Sequence, residues 1–347
     1  MLDLQPTHHV TLESFDDCTE RVHVFDEDSI LAVNMAWSAR RPLLVRGEPG
    51  VGKSQLAEAV ARHTNRKFIP FVVDSKTEAR DLLWRFDAIK RLADAQLIGA
   101  MRHPTPPASA LQAAASNEPD KSEDDSNGFA TIRDQISQQL AERNYVQPGP
   151  LWWAFDWQSA KTQDEVSHAC SPYPQQTGDS ANGCVVLIDE IDKAESDVPN
   201  GLLAALGARE FQPFGFDGKI SVGDPPPLVI VTTNEERTLP DAFVRRCLVH
   251  FIDLPDDSEQ ELCDHLVPRG QVHFPEVAEE VLREAALQLH KDRKEAKGQN
   301  RRPYPGQAEY LDLVRAVRDQ QGDTASQLAL LRRASKFALK KNRGVTG

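Results

Sequence analysis

Residues Gly47-Glu48-Pro49-Gly50-Val51-Gly52-Lys53-Ser54 fit the pattern G-x-x-x-x-G-K-[ST] without a mismatch. Glycines at these spacings let consecutive backbone N–H groups turn inward around phosphate oxygens, and the helix that follows adds its positive dipole end. In that arrangement Lys53 reaches the β- and γ-phosphates, Gln55 joins the binding set on the first helical turn, and the Ser54 hydroxyl ligates Mg2+. A second chemical segment is Cys184-Val185-Val186-Leu187-Ile188-Asp189-Glu190-Ile191-Asp192-Lys193, an apolar run that ends in acids. Such a run is expected to be a central parallel strand with carboxylates at its C-terminal edge, where open α/β sheets bind ligands. Asp189 is then placed to hold Mg2+ through water, and Glu190 to orient and deprotonate an attacking water. A third apolar run, Leu228-Val229-Ile230-Val231-Thr232-Thr233, closes on Asn234, an amide able to hydrogen-bond both the γ-phosphate and that water. The chain reads as a nucleotide-binding protein with hydrolytic chemistry.

The elements that must position these groups follow from pattern. Pro42-Leu43-Leu44-Val45-Arg46 is short and apolar, as a buried strand is, and Gln55 to His63 repeats apolar residues at helical spacing. Further strands are predicted over 67–74 and 248–254. A helix is predicted over Phe25 to Ser38, capped at Asp28 or Ser29. Ser75 and Glu78 have capping-box spacing, which predicts a helix running on through Ile89 and Leu92. Pro148-Gly149-Pro150 breaks the chain before an aromatic helix whose Trp152 and Trp153 are expected to pack inward. Residues 158–182 read as a loop, 198–206 as a helix, and the segment from Arg209 as a hairpin.

At 347 residues the chain has room for two domains. A net charge of −13 argues against a chain-wide nucleic-acid footprint. The five cysteines form no C-x-x-C pair, which argues against a disulfide framework or a zinc site. His8-His9 has no third ligand nearby and reads as an exposed terminus. No apolar run approaches the ~18–20 residues of a membrane span, and the N-terminus lacks signal-peptide character, so a cytoplasmic protein is expected. Residues 101–128, rich in Pro, Ser and acids, predict a mobile acidic insertion. From Pro255 no strand-like run appears, and helical patterns fill 257–267, 275–292, 307–320 and 323–342. That change places a boundary between an α/β domain, 1–254, and a helical domain, 255–347. The basic residues of the last helix, among them Arg332 and Arg333, read as a solvated face.

Taken in order, the phosphate loop, Val185-Val186-Leu187-Ile188-Asp189-Glu190, Thr232-Thr233-Asn234 and Leu239-Pro240-Asp241-Ala242-Phe243-Val244-Arg245-Arg246 resemble an AAA+ ATPase. Asp81-Leu82-Leu83-Trp84-Arg85-Phe86-Asp87 and Pro148-Gly149-Pro150-Leu151 narrow the resemblance to the MoxR-type branch. It covers about 30–255 well and the helical part loosely. It implies a doubly wound parallel sheet with helices on both faces, then a smaller all-α lid, with ATP as substrate and Mg2+ as cofactor. Lys53 and Ser54 then correspond to Walker A, Asp189 and Glu190 to Walker B, and Asn234 to sensor 1. Arg246 aligns best with the arginine finger that completes a neighbour's site, with Arg245 the second candidate, and a homo-oligomeric ring, a hexamer, follows. Cys247 stands where the family usually has Phe, and Arg302 precedes its Pro where a sensor 2 arginine usually follows one. The implied work is remodelling or maturation of a client protein, often one with a von Willebrand factor A domain. Two alternatives are an assembly switch gated by nucleotide, as in a bacterial defence or signalling system, and a motor acting on nucleic acid.

Overall fold

The computed structural model describes residues 8–12, 21–102, 135–319 and 323–338. The expected acidic insertion therefore lies, from residue 103 onward, outside the described residues. The chain divides into two compact units, one from Met1–Ala79, Gln175–Ala204 and Asp224–Gly347, the other from Arg80–Pro174 and Ala205–Gly223. This line differs from the one expected at 254/255. The change at 255 is a change of secondary structure within a unit.

The first unit is built on five parallel strands: β3 (Leu43–Arg46), β4 (Arg66–Val72), β7 (Asp179–Asp189), β10 (Leu228–Thr233) and β11 (Leu248–Phe251). They lie side by side in the order β11-β3-β10-β7-β4. Register is set by burial on both faces, which is why these strands read as unbroken apolar runs: Leu43, Val45, Val185, Ile188, Ile230 and Val231 are fully buried. α1 (Glu27–Ala39) and α2 (Lys53–His63) pack their apolar stripes into this core through Ile30, Val33, Leu56 and Val60. The cap of α1 is Asp26, not Asp28 or Ser29. Its carboxylate accepts the Ser29 N–H at 2.7 Å and the Ser29 hydroxyl at 2.9 Å, so Ser29 supplies the donors rather than the cap. A small antiparallel pair, β1 (His9–Leu12) and β2 (Arg21–Val24), precedes it.

After β11 the described residues are helical: α8 (Glu259–His273), α9 (Glu279–Gly298), α10 (Gln307–Arg318) and α11 (Thr324–Ala338). Their core, with Leu262, Leu289, Tyr310 and Val314, also takes in Val51 of the phosphate loop and Leu254. That shared core is why contacts group these helices with the sheet. No described helix is long and apolar enough to cross a membrane.

The segment from Asp74 to Ala79, which ends the first unit's opening stretch, and the second unit after it depart most from expectation. No helix starts at Ser75. Instead, the Asp74 carboxylate takes the Lys76 N–H at 2.8 Å and the Thr77 hydroxyl at 2.9 Å, closing a turn. One 3-10 turn follows at Ala79–Leu82, and β5 (Trp84–Phe86) then pairs antiparallel with β6 (Val146–Pro148) before α3 (Ala88–Arg102). The long-range pairing overrides the local capping pattern. Gly149 packs so closely that a Cβ there would stand 2.6 Å from the Asp81 carbonyl oxygen. α4 (Pro150–Phe155) follows, with Trp152 and Trp153 buried as expected. Where a loop was expected over 158–182, α5 (Trp157–Ser167) forms, because the Asp156 side chain caps it at 2.9 Å from the Ser159 N–H. The Gln163 amide fixes this helix by donating to the carbonyls of Arg143 and Val146, each at 2.7 Å. The hairpin from Arg209 is present as β8 (Glu210–Phe211) and β9 (Ile220–Ser221), after α6 (Asp197–Ala208). Phe211 meets Trp152 edge-on, with ring centroids 5.9 Å apart.

Candidate active site

The phosphate loop turns from the end of β3 into α2. Gly47 has φ 149°, and a Cβ there would collide with the Ile252 carbonyl, so only glycine fits. Gly50 and Gly52 also have positive φ, 81° and 95°. Lys53 is buried at 6 % exposure. Its Nζ donates to the carbonyls of Gly47 and Glu48, both at 2.8 Å, and to Asn234 Oδ1 at 2.7 Å. Burial pulls the Lys53 pKa down, while Asp189, Asp192, Glu190 and Glu235 pull it back up. Beside it the Ser54 hydroxyl lies 2.8 and 2.9 Å from the two Asp189 carboxylate oxygens.

The acids are held from the neighbouring strand. Thr232, 1 % exposed, donates its hydroxyl to Asp189 Oδ1 and accepts the Glu190 N–H at 3.0 Å. Glu190 itself sits at φ 58°, ψ 45°, in the left-handed region, which turns its carboxylate out of the strand direction. There Oε1 accepts from Asn234 Nδ2 at 3.2 Å and Oε2 meets Lys193 Nζ at 2.5 Å. The contact with Glu190 holds the Lys193 ammonium above its usual pKa. Asp192, 2 % exposed, accepts the backbone N–H groups of Asn234 at 3.3 Å and Glu236 at 2.9 Å, which pins the loop carrying Asn234. Lys53, Ser54, Asp189, Glu190 and Asn234 therefore form one connected network at the C-terminal edge of three adjacent strands.

A cleft of about 350 Å³ opens over this network. Its far wall is α10, through Ala308, Leu311, Asp312 and Arg315, and β2 adds Arg21. The Ala308 N–H donates to the Gly50 carbonyl at 3.2 Å, so α10 is bonded to the loop itself. Glu48 is tied to α9 by Arg293, whose Nη2 lies 2.8 Å from Glu48 Oε2. Arg293 also binds Asp256 at 2.6 Å and the Pro305 carbonyl at 2.8 Å.

Residues 42–247 match the family model of the AAA domain, dynein-related subfamily. The chain belongs to this family. It is thereby an AAA+ ATPase, and the MoxR-like resemblance falls within the same subfamily. No curated protein matches the chain. Among solved structures it is similar to the RuvB Holliday junction branch migration motor of Thermotoga maritima, at 14% identity and a TM-score of 0.41, over 88% of this chain and 67% of that one. A putative ATPase from Cytophaga hutchinsonii matches at 12% identity and a TM-score of 0.34, over 90% and 79%. These likenesses are too remote to bear on activity.

Not every expected site residue reaches the cleft. Arg302 lies outside its lining, with its guanidinium 5.8 Å from the Tyr304 ring centre. Arg315 of α10 does line the cleft, and the sequence reading passed over it. Helical spacing from Gln307 carries the signal, since 308, 311, 312 and 315 share one face of α10. Arg245 and Arg246 end α7 (Asp241–Arg246), exposed and outside the cleft of their own chain. Thr232, Asp192 and Lys193 were also missed as positioning groups. A second cavity of about 520 Å³ shares Gln55, His273 and Gln307 with the cleft. Val22, Val24 and Val51 line it, together with His23, His250 and His265. Burial pushes His23, His265 and His273 down to about 4.

Proposed function

We propose that this AAA+ ATPase uses Mg2+ to hydrolyse ATP within a homo-oligomeric ring, a hexamer, and couples turnover to remodelling or maturation of a client protein of the von Willebrand factor A-domain kind. The observation that carries the hydrolytic reading is the single network in which Thr232 joins Lys53, Asn234 and Glu190 on one side to Ser54 and Asp189 on the other. The donor set suits Mg2+. Ser54 and Asp189 offer a hydroxyl and a carboxylate within 2.8 Å of each other, and among the described residues no cluster of three or more ligating side chains exists. Two protein oxygens fit a cation that takes its remaining ligands from phosphates and water. When bound, Mg2+ neutralises charge on the phosphate oxygens.

In this reading Lys53 sits against the β- and γ-phosphates, and the loop N–H groups from Gly47 to Ser54 surround them. Glu190 takes the proton from the attacking water, and Asn234, bonded to both Glu190 and Lys53, orients that water against the γ-phosphate. Arg315 faces the phosphates from α10, and the second cavity takes the purine base. Residues 255–347 act as the lid. Arg246, or Arg245, completes a neighbour's cleft, because phosphoryl transfer is catalysed by positioning and by positive charge that stabilises the charge developing on the phosphate oxygens. The setting is cytoplasmic. The test is the mass of the protein without nucleotide, with ADP and with a non-hydrolysable ATP analogue, beside phosphate release. A ring in the analogue, kept by Arg246→Ala with hydrolysis lost, is expected. A monomer in every state would overturn the ring.

A further inference from the structure

Arg41 follows α1 and stands just before β3, at the opposite end of that strand from the phosphate loop. Its backbone is fixed: Arg40 takes a left-handed turn at φ 52°, and the Arg41 N–H donates to the Ala36 carbonyl at 3.1 Å. Its side chain reaches the C-terminal end of α7. Nε donates to the Arg246 carbonyl at 2.9 Å, and Nη2 donates to the carbonyls of Cys247, at 3.2 Å, and Arg245. Three consecutive carbonyls at a helix end, left without helical partners, thus share one guanidinium. The planar fork suits this clamp, and a cation is favoured at a helix C-terminus.

α7 needs such a clamp. It is six residues long, its N-terminus has no side-chain cap, and it carries its two exposed arginines on the last turn. We propose that Arg41 is the positioning residue for Arg245 and Arg246: it fixes the backbone from which they project, so hydrolysis in one subunit depends on Arg41 of the next. This inference rests on the ring reading above. Arg41 does not line the cleft, so its loss removes no nucleotide contact within its own chain.

The experiment uses the full chain with Arg41→Ala and Arg41→Lys. Affinity for a non-hydrolysable ATP analogue is expected to stay within about twofold, while kcat falls about 10- to 100-fold, the loss typical of a catalytic group displaced by ~1 Å. Lysine keeps the charge without the fork and is expected to recover only part of the rate. The deciding readout is mixing with Glu190→Gln subunits, which have a dead site and sound arginines. Activity above the sum of the two parents is expected, because the Arg41→Ala subunit keeps a working site and borrows its neighbour's arginine. A parallel mixture of Arg246→Ala with Glu190→Gln tests the ring reading alone. Recovery there without recovery for Arg41→Ala overturns the Arg41 assignment and leaves the ring. Failure of both mixtures overturns both. Should Arg41→Ala not fold, Arg41→Lys carries the same mixing test, and a wild-type kcat in whichever variant folds refutes the clamp.

Discussion

Thr232→Val is the sharpest test of how the acids are held. Valine keeps the shape of threonine and deletes one hydroxyl, which removes the bond to Asp189 and the acceptor for the Glu190 N–H. A hydrogen bond to a charged group contributes about 1.5–3 kcal/mol, and a buried N–H left unpaired costs about 1–3 kcal/mol. Thr232 is 1 % exposed, so the Glu190 N–H loses its partner at a position closed to water, whereas Asp189 lines the cleft and keeps Ser54 as a donor. Both losses share one oxygen and do not add fully, which puts the expected destabilisation at about 3 kcal/mol. The functional effect comes from Glu190, whose left-handed backbone at φ 58° costs a non-glycine residue about 1–2 kcal/mol. With its N–H released, the backbone relaxes and carries the carboxylate away from Asn234. A shift of ~1 Å lowers kcat by about 10²-fold. Steady-state phosphate release separates kcat from KM, a urea titration reads stability, and Thr232→Ser, which keeps the hydroxyl, is expected to restore both. Thr232→Val with a kcat within twofold of wild type would refute the idea that this hydroxyl sets the geometry of Glu190.

Arg293→Met removes the cation between Glu48 and Asp256 while roughly keeping its volume. Asp256 retains Lys297 at 2.6 Å, so the expected loss is about 3 kcal/mol, the low end for breaking a buried pair, read from the denaturation midpoint; a loss under about 1 kcal/mol would count against the network. Arg315→Ala is expected to weaken binding of a non-hydrolysable ATP analogue about tenfold, as loss of a charge-assisted contact does, whereas Arg302→Ala stays within twofold; the reverse order would return the lid cation to Arg302. His23, His265 and His273 titrate near 4 in the folded chain, below their ordinary 6.5, because burial disfavours the imidazolium. The unfolded chain therefore binds more protons between those values, so their contribution to stability is complete above about pH 6.5 and is lost as pH falls toward 4. Thermal midpoints against pH should fall over that window, and His265→Gln should flatten the slope; a midpoint unchanged from pH 7 to 4.5 would refute the buried neutral histidines.

The sheet and the centre of the site were legible because their signals are local in sequence. Each central strand is buried on both faces and so reads as an unbroken apolar run. The phosphate loop needs its glycines in a fixed order, and Asp189-Glu190 and Asn234 sit where those runs end. What was hidden depends on partners distant in the chain. Trp84–Phe86 becomes a strand only because Val146–Pro148 lies beside it, against the capping pattern of Ser75 and Glu78. The helix over 157–167 is polar and depends on Asp156 and on Gln163 reaching two carbonyls of another segment. Arg302 was chosen by its nearness to a proline, whereas the side of the cleft that α10 presents is set by helical phase. Thr232 looked like any strand threonine, and nothing in its own type says that its hydroxyl holds two acids.

Strand β3 is four residues long, about 13 Å at the usual rise per residue. It is hydrogen-bonded on both edges, to β10 and β11, and Leu43, Leu44 and Val45 have no exposed surface. So short and fully paired a segment is held in place by the sheet and leaves little freedom between its two ends. One end opens into the phosphate loop; the other leads back to Arg41, whose guanidinium grips the end of α7. Within the proposed ring, the loop meant to hold one subunit's phosphates and the arginines meant to reach the next would thus be referenced to the same four residues of sheet.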